Sequence, residues 1–100
     1  MIYEVAEIEV RAGAEAAFEA AVAEAAPLFE RARGCRSLGL QKVIEKPSTY
    51  RLFVGWETVE DHMVHFRESD DFQEWRRLAG PHFAGPPKVD HVEFVLNAFG

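Results

Sequence analysis

The hydrophobic pattern of this chain switches repeatedly between a strand period and a helix period, and a cap or turn residue marks each switch. In residues 2–10, Ile2, Ala6, Ile8 and Val10 fall on one side of an extended chain, with Glu7 and Glu9 on the other. From Ala14 the spacing changes. Ala14, Phe18, Ala21, Val22, Ala25, Phe29 and Ala32 form the apolar stripe of an amphipathic helix, with Gly34 as its stop. Pro27 lies inside that helix, cannot donate a hydrogen bond and crowds the carbonyl one turn back, which predicts a kink or break near residue 26.

β-branched and aromatic residues on both sides of Lys46-Pro47-Ser48 predict a hairpin of strands 36–45 and 49–57. Thr58-Val-Glu-Asp61 has the spacing of a capping box and opens a short helix carrying Val59, Met63 and Phe66 on one face. Ser69 caps a further helix whose first turn holds Asp70 and Asp71, whose inner face is Phe72, Trp75 and Ala79, and which ends at Gly80-Pro81. After a loop over 81–87, Val89 to Leu96 alternates as a fourth strand. The order β-α-β-β-α-β predicts a single α+β domain over residues 1–100 with a ferredoxin-like fold: a four-stranded antiparallel sheet with helices on one face. Strand three puts Tyr50, Leu52, Val54 and Trp56 on one face but Phe53 on the other, and strand four divides Val92, Phe94 and Leu96 from Val89 and Val95. Both faces are therefore expected to be covered. With only two helical arms available, the economical cover for the second face is another copy of the same sheet, which predicts a homodimer.

Composition narrows the function classes. A formal charge of −6 with no basic run argues against nucleic acid and anionic membrane as partners. The Ala-rich stretch 12–26 is interrupted by Glu15, Glu19 and Glu24, so no apolar run is long enough to span a bilayer, and an intracellular, cytoplasmic protein is expected. Cys35 is the only cysteine, which excludes an internal disulfide or a thiolate-rich zinc site. Its neighbours Arg33 and Arg36 would lower its pKa, yet nothing else marks it as a nucleophile. Glycine-rich phosphate loops and a nucleophile elbow are absent.

Histidines titrate near neutrality without help, so they are the first candidates for chemistry. His62 and His65 stand one turn apart on the short second helix, spaced to serve as general bases or as a structural pair with one near the core and one solvated. The strong helical zinc pattern has a different spacing, and no metal is expected. His91 lies on strand four, where it can point inward, and His82 sits in the proline-bounded loop. Trp56 and Tyr3 suit the wall of an apolar pocket or the core of a dimer, and Phe66 shares the face of the short helix. Glu7 is the carboxylate expected on the second sheet face, either buried with a raised pKa or paired with Arg51.

Three segments carry a family resemblance: Phe53-Val-Gly-Trp56-Glu57 running into Asp61-His62 and His65; Phe66-Arg-Glu-Ser69-Asp-Asp-Phe72-Gln-Glu-Trp75; and Pro87-Lys-Val-Asp-His91. In these the sequence resembles the antibiotic biosynthesis monooxygenases of the dimeric α/β-barrel superfamily. The resemblance implies a homodimer with an apolar pocket in each subunit, and oxygenation of a small aromatic, phenolic or quinol substrate with no cofactor. It further implies His65 or His62 as the base, Trp56 and Phe66 as walls, and Tyr3 or His91 as a hydrogen-bond donor to the substrate anion. Some oxygenases of the family carry an asparagine on strand three where Leu52 stands, and a haem-degrading branch has an axial histidine where Arg76 stands. Those two constellations are not expected. The same pocket could serve a non-catalytic dimeric small-ligand-binding or stress-response module, or an oxygen-indifferent isomerase or lyase.

Overall fold

The computed structural model describes residues 1–100 and shows the expected element order. Strand β1 (Ile2–Glu9) is followed by helix α1 (Glu15–Glu30), strands β2 (Cys35–Lys42) and β3 (Thr49–Trp56), a π-helical turn (Asp61–Phe66), helix α2 (Asp70–Ala79), a 3-10 turn (Gly80–His82) and strand β4 (Lys88–Val92). The sheet order is β2-β3-β1-β4, antiparallel throughout. This is the ferredoxin-like arrangement, with both helices on one face.

The core is the helix face of the sheet. Ala6, Ile8 and Val10 of the first strand and its extension meet Tyr50, Leu52, Val54 and Trp56 of β3, all buried, and α1 lays Phe18, Val22, Ala25 and Phe29 across them. Truncating one such aromatic to alanine typically costs about 3–5 kcal/mol, so this face dominates the fold's stability. Tyr50 is buried with its hydroxyl satisfied by donation to Glu19 Oε2 at 2.6 Å.

The caps form as the sequence requires. Thr58 Oγ1 accepts from the Asp61 amide at 3.0 Å, and Ser69 Oγ accepts from the Phe72 amide at 3.2 Å. Pro27 does not break α1, because it falls in the last turn and removes only one ladder bond there; the helix continues to Glu30. It ends before Gly34, whose φ of +76° instead serves the turn into β2. A side chain at Gly34 would collide with the carboxylate of Asp61, so this glycine also lets the π-helical turn approach the sheet.

Two strands are shorter than their sequence patterns. β2 stops at Lys42 because the next residues close a turn, with Lys46 N–H donating to Val43 and Thr49 N–H donating to Lys46. β4 stops at Val92 because it pairs only with β1, where Val92 already lies opposite Tyr3 near the strand's start. Beyond it, Phe94, Val95, Leu96 and Phe99 are exposed. The second sheet face, containing Tyr3, Val5, Phe53 and Val92, carries no helix.

Candidate functional site

Between the helix face of β1 and β4, the π-helical turn and α2 lies a cleft of about 520 Å3. Its apolar walls include Ile8, Leu52, Phe72, Trp75, Phe83 and Val89. The volume is within the ordinary range for a small-molecule site. Glu4, His62 and His91 bring polar atoms into it.

Register explains why these groups meet. Side chains alternate along β1, so Glu4 shares the buried side of Ala6 and Ile8, and antiparallel pairing sets His91 directly opposite Glu4. The π-helical turn, defined by donation from the Arg67 amide to the His62 carbonyl at 3.0 Å, delivers His62 from above.

A continuous polar chain results. The Trp56 indole N–H donates to Glu4 Oε1 at 3.0 Å, and His62 Nε2 lies 3.2 Å from the same oxygen. His62 Nδ1 is 2.8 Å from His91 Nε2. The His62 ring stacks on Trp56 at 5.3 Å between centroids and 16° between planes, which fixes the imidazole orientation. Glu4 lines the cleft, and its Oε2 has no hydrogen-bond partner; since no buried side-chain oxygen is left unpartnered, this oxygen keeps some exposure.

Burial sets the electrostatics. Glu4 is 6% exposed and loses its water shell, which pushes its pKa up to about 7 against the smaller opposing effect of the Trp56 hydrogen bond. Burial, with the charges of His91 and Arg67, pushes His62 down to about 4. Near neutrality, therefore, His62 is uncharged and Glu4 exchanges between acid and carboxylate. A carboxyl group balanced at that pH, on a residue that lines an apolar cleft and with one oxygen unpartnered, suits general acid–base work.

The candidate residues are distributed unevenly. His62 and His91 belong to the cleft. Trp56 is fully buried beneath it and acts through its N–H and its ring rather than as a wall. Phe66 is core, packed against Phe29, Trp56 and Phe72. His65 is turned outside the cleft, 3.6 Å from Glu60, because the wide π-helical turn rotates less per residue than an α-helix and leaves His65 further short of a full turn from His62. Tyr3 points to the opposite sheet face, beside Phe53, Val92 and Phe94. Glu7 takes the paired alternative, 3.5 Å from Arg51. Burial raises the Cys35 thiol pKa rather than lowering it. Sequence reasoning missed Glu4, although its place between Ile2 and Ala6 on the buried side was a usable signal. No three His, Cys, Asp or Glu side chains are arranged to hold a metal ion, and no helix is long and apolar enough to cross a membrane.

The sequence model of the antibiotic biosynthesis monooxygenase family matches residues 1–78. The chain belongs to that family. A Bacillus subtilis protein, YczJ, is 37% identical over 95 residues, covering 95% of this chain and all of the relative. A crystal structure from Bordetella bronchiseptica, named for the same family, superposes with a TM-score of 0.94 at 58% identity, covering 95% of this chain and 97% of the other. The fold is also that of SnoaB from Streptomyces nogalater, a cofactor-independent oxygenase, at a TM-score of 0.81 and 18% identity, covering 97% and 95% of the two chains. The match to the family stops short of β4, so it leaves out His91.

Proposed function

We propose that this antibiotic biosynthesis monooxygenase family member is a cofactor-independent oxygenase of a small aromatic, phenolic or quinol substrate, with Glu4 as its general base. The observation that carries this reading is the Glu4 carboxyl group, which lines the cleft, is held through Oε1 by Trp56 and His62, and is raised to about 7 by burial. The likeness to SnoaB supports the reaction class. Both ring nitrogens of His62 are engaged, one toward Glu4 and one toward His91, so His62 is a positioning residue rather than the base itself.

In this mechanism the substrate's rings lie among Phe72, Trp75 and Phe83, and its acidic O–H or C–H meets Glu4 Oε2. Glu4 takes the proton, and the His62 N–H and Trp56 N–H steady the charge on Oε1. The electron-rich substrate anion passes one electron to O2, and the two radicals combine as a peroxide. Glu4 returns its proton to the peroxide, and loss of the remaining hydrogen from the peroxide-bearing carbon as the O–O bond breaks leaves one oxygen in a quinone carbonyl and releases the other, with both hydrogens, as water. The substrate supplies all the electrons, so no external reductant is needed. A base matched in pKa to the operating pH contributes about 10²–10⁴-fold.

The uncovered sheet face supports a homodimer. Tyr3, Val5, Phe53 and Val92 form an apolar surface, and the exposed Phe94, Val95, Leu96 and Phe99 follow directly from it. A second copy of the same face would bury both. The catalytic reading is tested by oxygen uptake over a panel of quinols and anthrones. Consumption above autoxidation, reduced at least 100-fold in Glu4→Gln, is the expected result; no uptake across the panel overturns it.

A further inference from the structure

The arginines of this acidic chain are not equivalent. Arg31 is paired with Asp71, Arg33 with Asp61, Arg36 with Glu57, Arg51 with Glu7 and Arg77 with Glu74, while Arg11 donates to the Phe83 carbonyl. Two are left without an oxygen partner. Arg67 has only a 3.9 Å approach to the Met63 sulfur, and Arg76 has no hydrogen bond or ion pair at all. Both line the cleft.

Seventeen acidic side chains stand against eleven basic ones and exposed ion pairs are individually weak, so what marks these two arginines is their shared place at the cleft. The only carboxylate lining the cleft is Glu4, which His62 and Trp56 already engage. The arginines come from two elements, Arg67 from the C-terminal cap of the π-helical turn and Arg76 from the last turn of α2, so the fold brings them to one mouth. Arg67 is close enough for its charge to act on His62. A planar guanidinium matches a carboxylate with two parallel hydrogen bonds, and it stacks on aromatic rings, so it suits recognition of an aromatic acid better than a lysine would.

We propose that Arg67 and Arg76 form an anion-recognising mouth that selects aromatic substrates bearing a carboxylate remote from the reacting hydroxyl. This rests on the reading of the cleft as a substrate site. The ring system enters the apolar part, the reacting group meets Glu4 and the carboxylate remains at the rim, where it keeps part of its hydration. The net charge of −6 disfavours anions in general, so a preference for the acid has to arise locally.

The test compares two planar probes of equal size, 6-hydroxy-2-naphthoate and 6-hydroxy-2-naphthamide, titrated into the full chain at pH 7.5 and low salt. Binding is read by calorimetry and by tryptophan fluorescence, to which Trp75 in the cleft wall and Trp56 beneath it both contribute. The acid is expected to bind about tenfold or more tightly than the amide, with the preference reduced in Arg67→Gln and in Arg76→Gln and abolished in the double variant. Arg77→Gln, which removes a guanidinium paired with Glu74 and lying outside the cleft, should leave the preference intact. Equal binding of acid and amide overturns the proposal while leaving the aromatic cleft standing, as does a preference that survives the double substitution. Failure of both probes to bind overturns the proposal and the cleft reading together.

Discussion

Replacing Glu4 with glutamine should make the protein more stable above neutral pH and leave it nearly unchanged in acid. Glutamine keeps the size of the side chain and an oxygen to accept from the Trp56 and His62 N–H groups, but it cannot ionise. In the native protein the carboxyl group has a pKa of about 7, against 4.5 for the free side chain. Below pH 4.5 the group is protonated in both folded and unfolded states and contributes no difference. Between 4.5 and 7 the unfolded chain loses the proton while the folded protein keeps it, so stability falls as pH rises, and above 7 the penalty is complete. At 1.36 kcal/mol per pH unit, the gap corresponds to about 3 kcal/mol. His62 has the opposite slope: lowered from 6.5 to about 4, it makes the folded state less stable as pH falls through that range. The two slopes cancel between 4.5 and 6.5, so wild-type stability hides both, whereas the difference between wild type and variant isolates Glu4. Urea unfolding followed by tryptophan fluorescence at fixed protein concentration, from pH 4.5 to 8.5, measures that difference. Near-equality at pH 4.5 and a gain of about 2–3 kcal/mol by pH 8 is expected. A difference that does not vary with pH, or a variant less stable at pH 8, would refute the argument that burial raises this carboxyl group.

Three further substitutions test the fold around the site. Gly34→Ala places a β-carbon where the Asp61 carboxylate sits, at a φ of +76°, and should cost at least about 1–3 kcal/mol by thermal or chemical unfolding. Ser69→Ala removes the acceptor for the Phe72 amide and should cost about 1 kcal/mol, weakening α2 and the Trp75 wall with it. Phe53→Asp puts a charge on the apolar sheet face; sedimentation should change from a dimer to a monomer with the far-UV circular dichroism retained.

Much of the architecture was legible because it rests on periodicity. The alternation in β1 and β3, the stripe of α1 and the caps at Thr58 and Ser69 are local signals, and the structure agrees with them. The misses have non-local causes. Val43 and Ile44 look like strand residues, but the turn that returns the chain to Thr49 uses their backbone. Val95 and Leu96 alternate correctly, yet β1 ends before they can pair. His62 and His65 look equivalent at a three-residue spacing, and only the widened π-helical turn separates one into the cleft and the other to Glu60.

The site was less legible than the fold. Glu4 is hard to single out because charged residues alternate with apolar ones along β1: Glu7 and Glu9 mark the face opposite the apolar one, whereas Glu4 sits within it. Its pairing with His91 depends on strand register, and its link to His62 depends on the approach of a distant turn, neither of which a linear sequence displays. Arg67 and Arg76 were equally hidden, since being unpaired is a property of the assembled surface.

In the proposed mechanism Glu4, balanced near neutrality, removes the substrate proton. The most direct measurement is the pH dependence of kcat/KM for oxygen uptake with a reactive quinol or anthrone, in wild type and Glu4→Gln. The rate is expected to rise with pH through about 7, as the carboxylate forms, and the variant to be at least 100-fold slower with that inflection gone. An unchanged profile in the variant would contradict it.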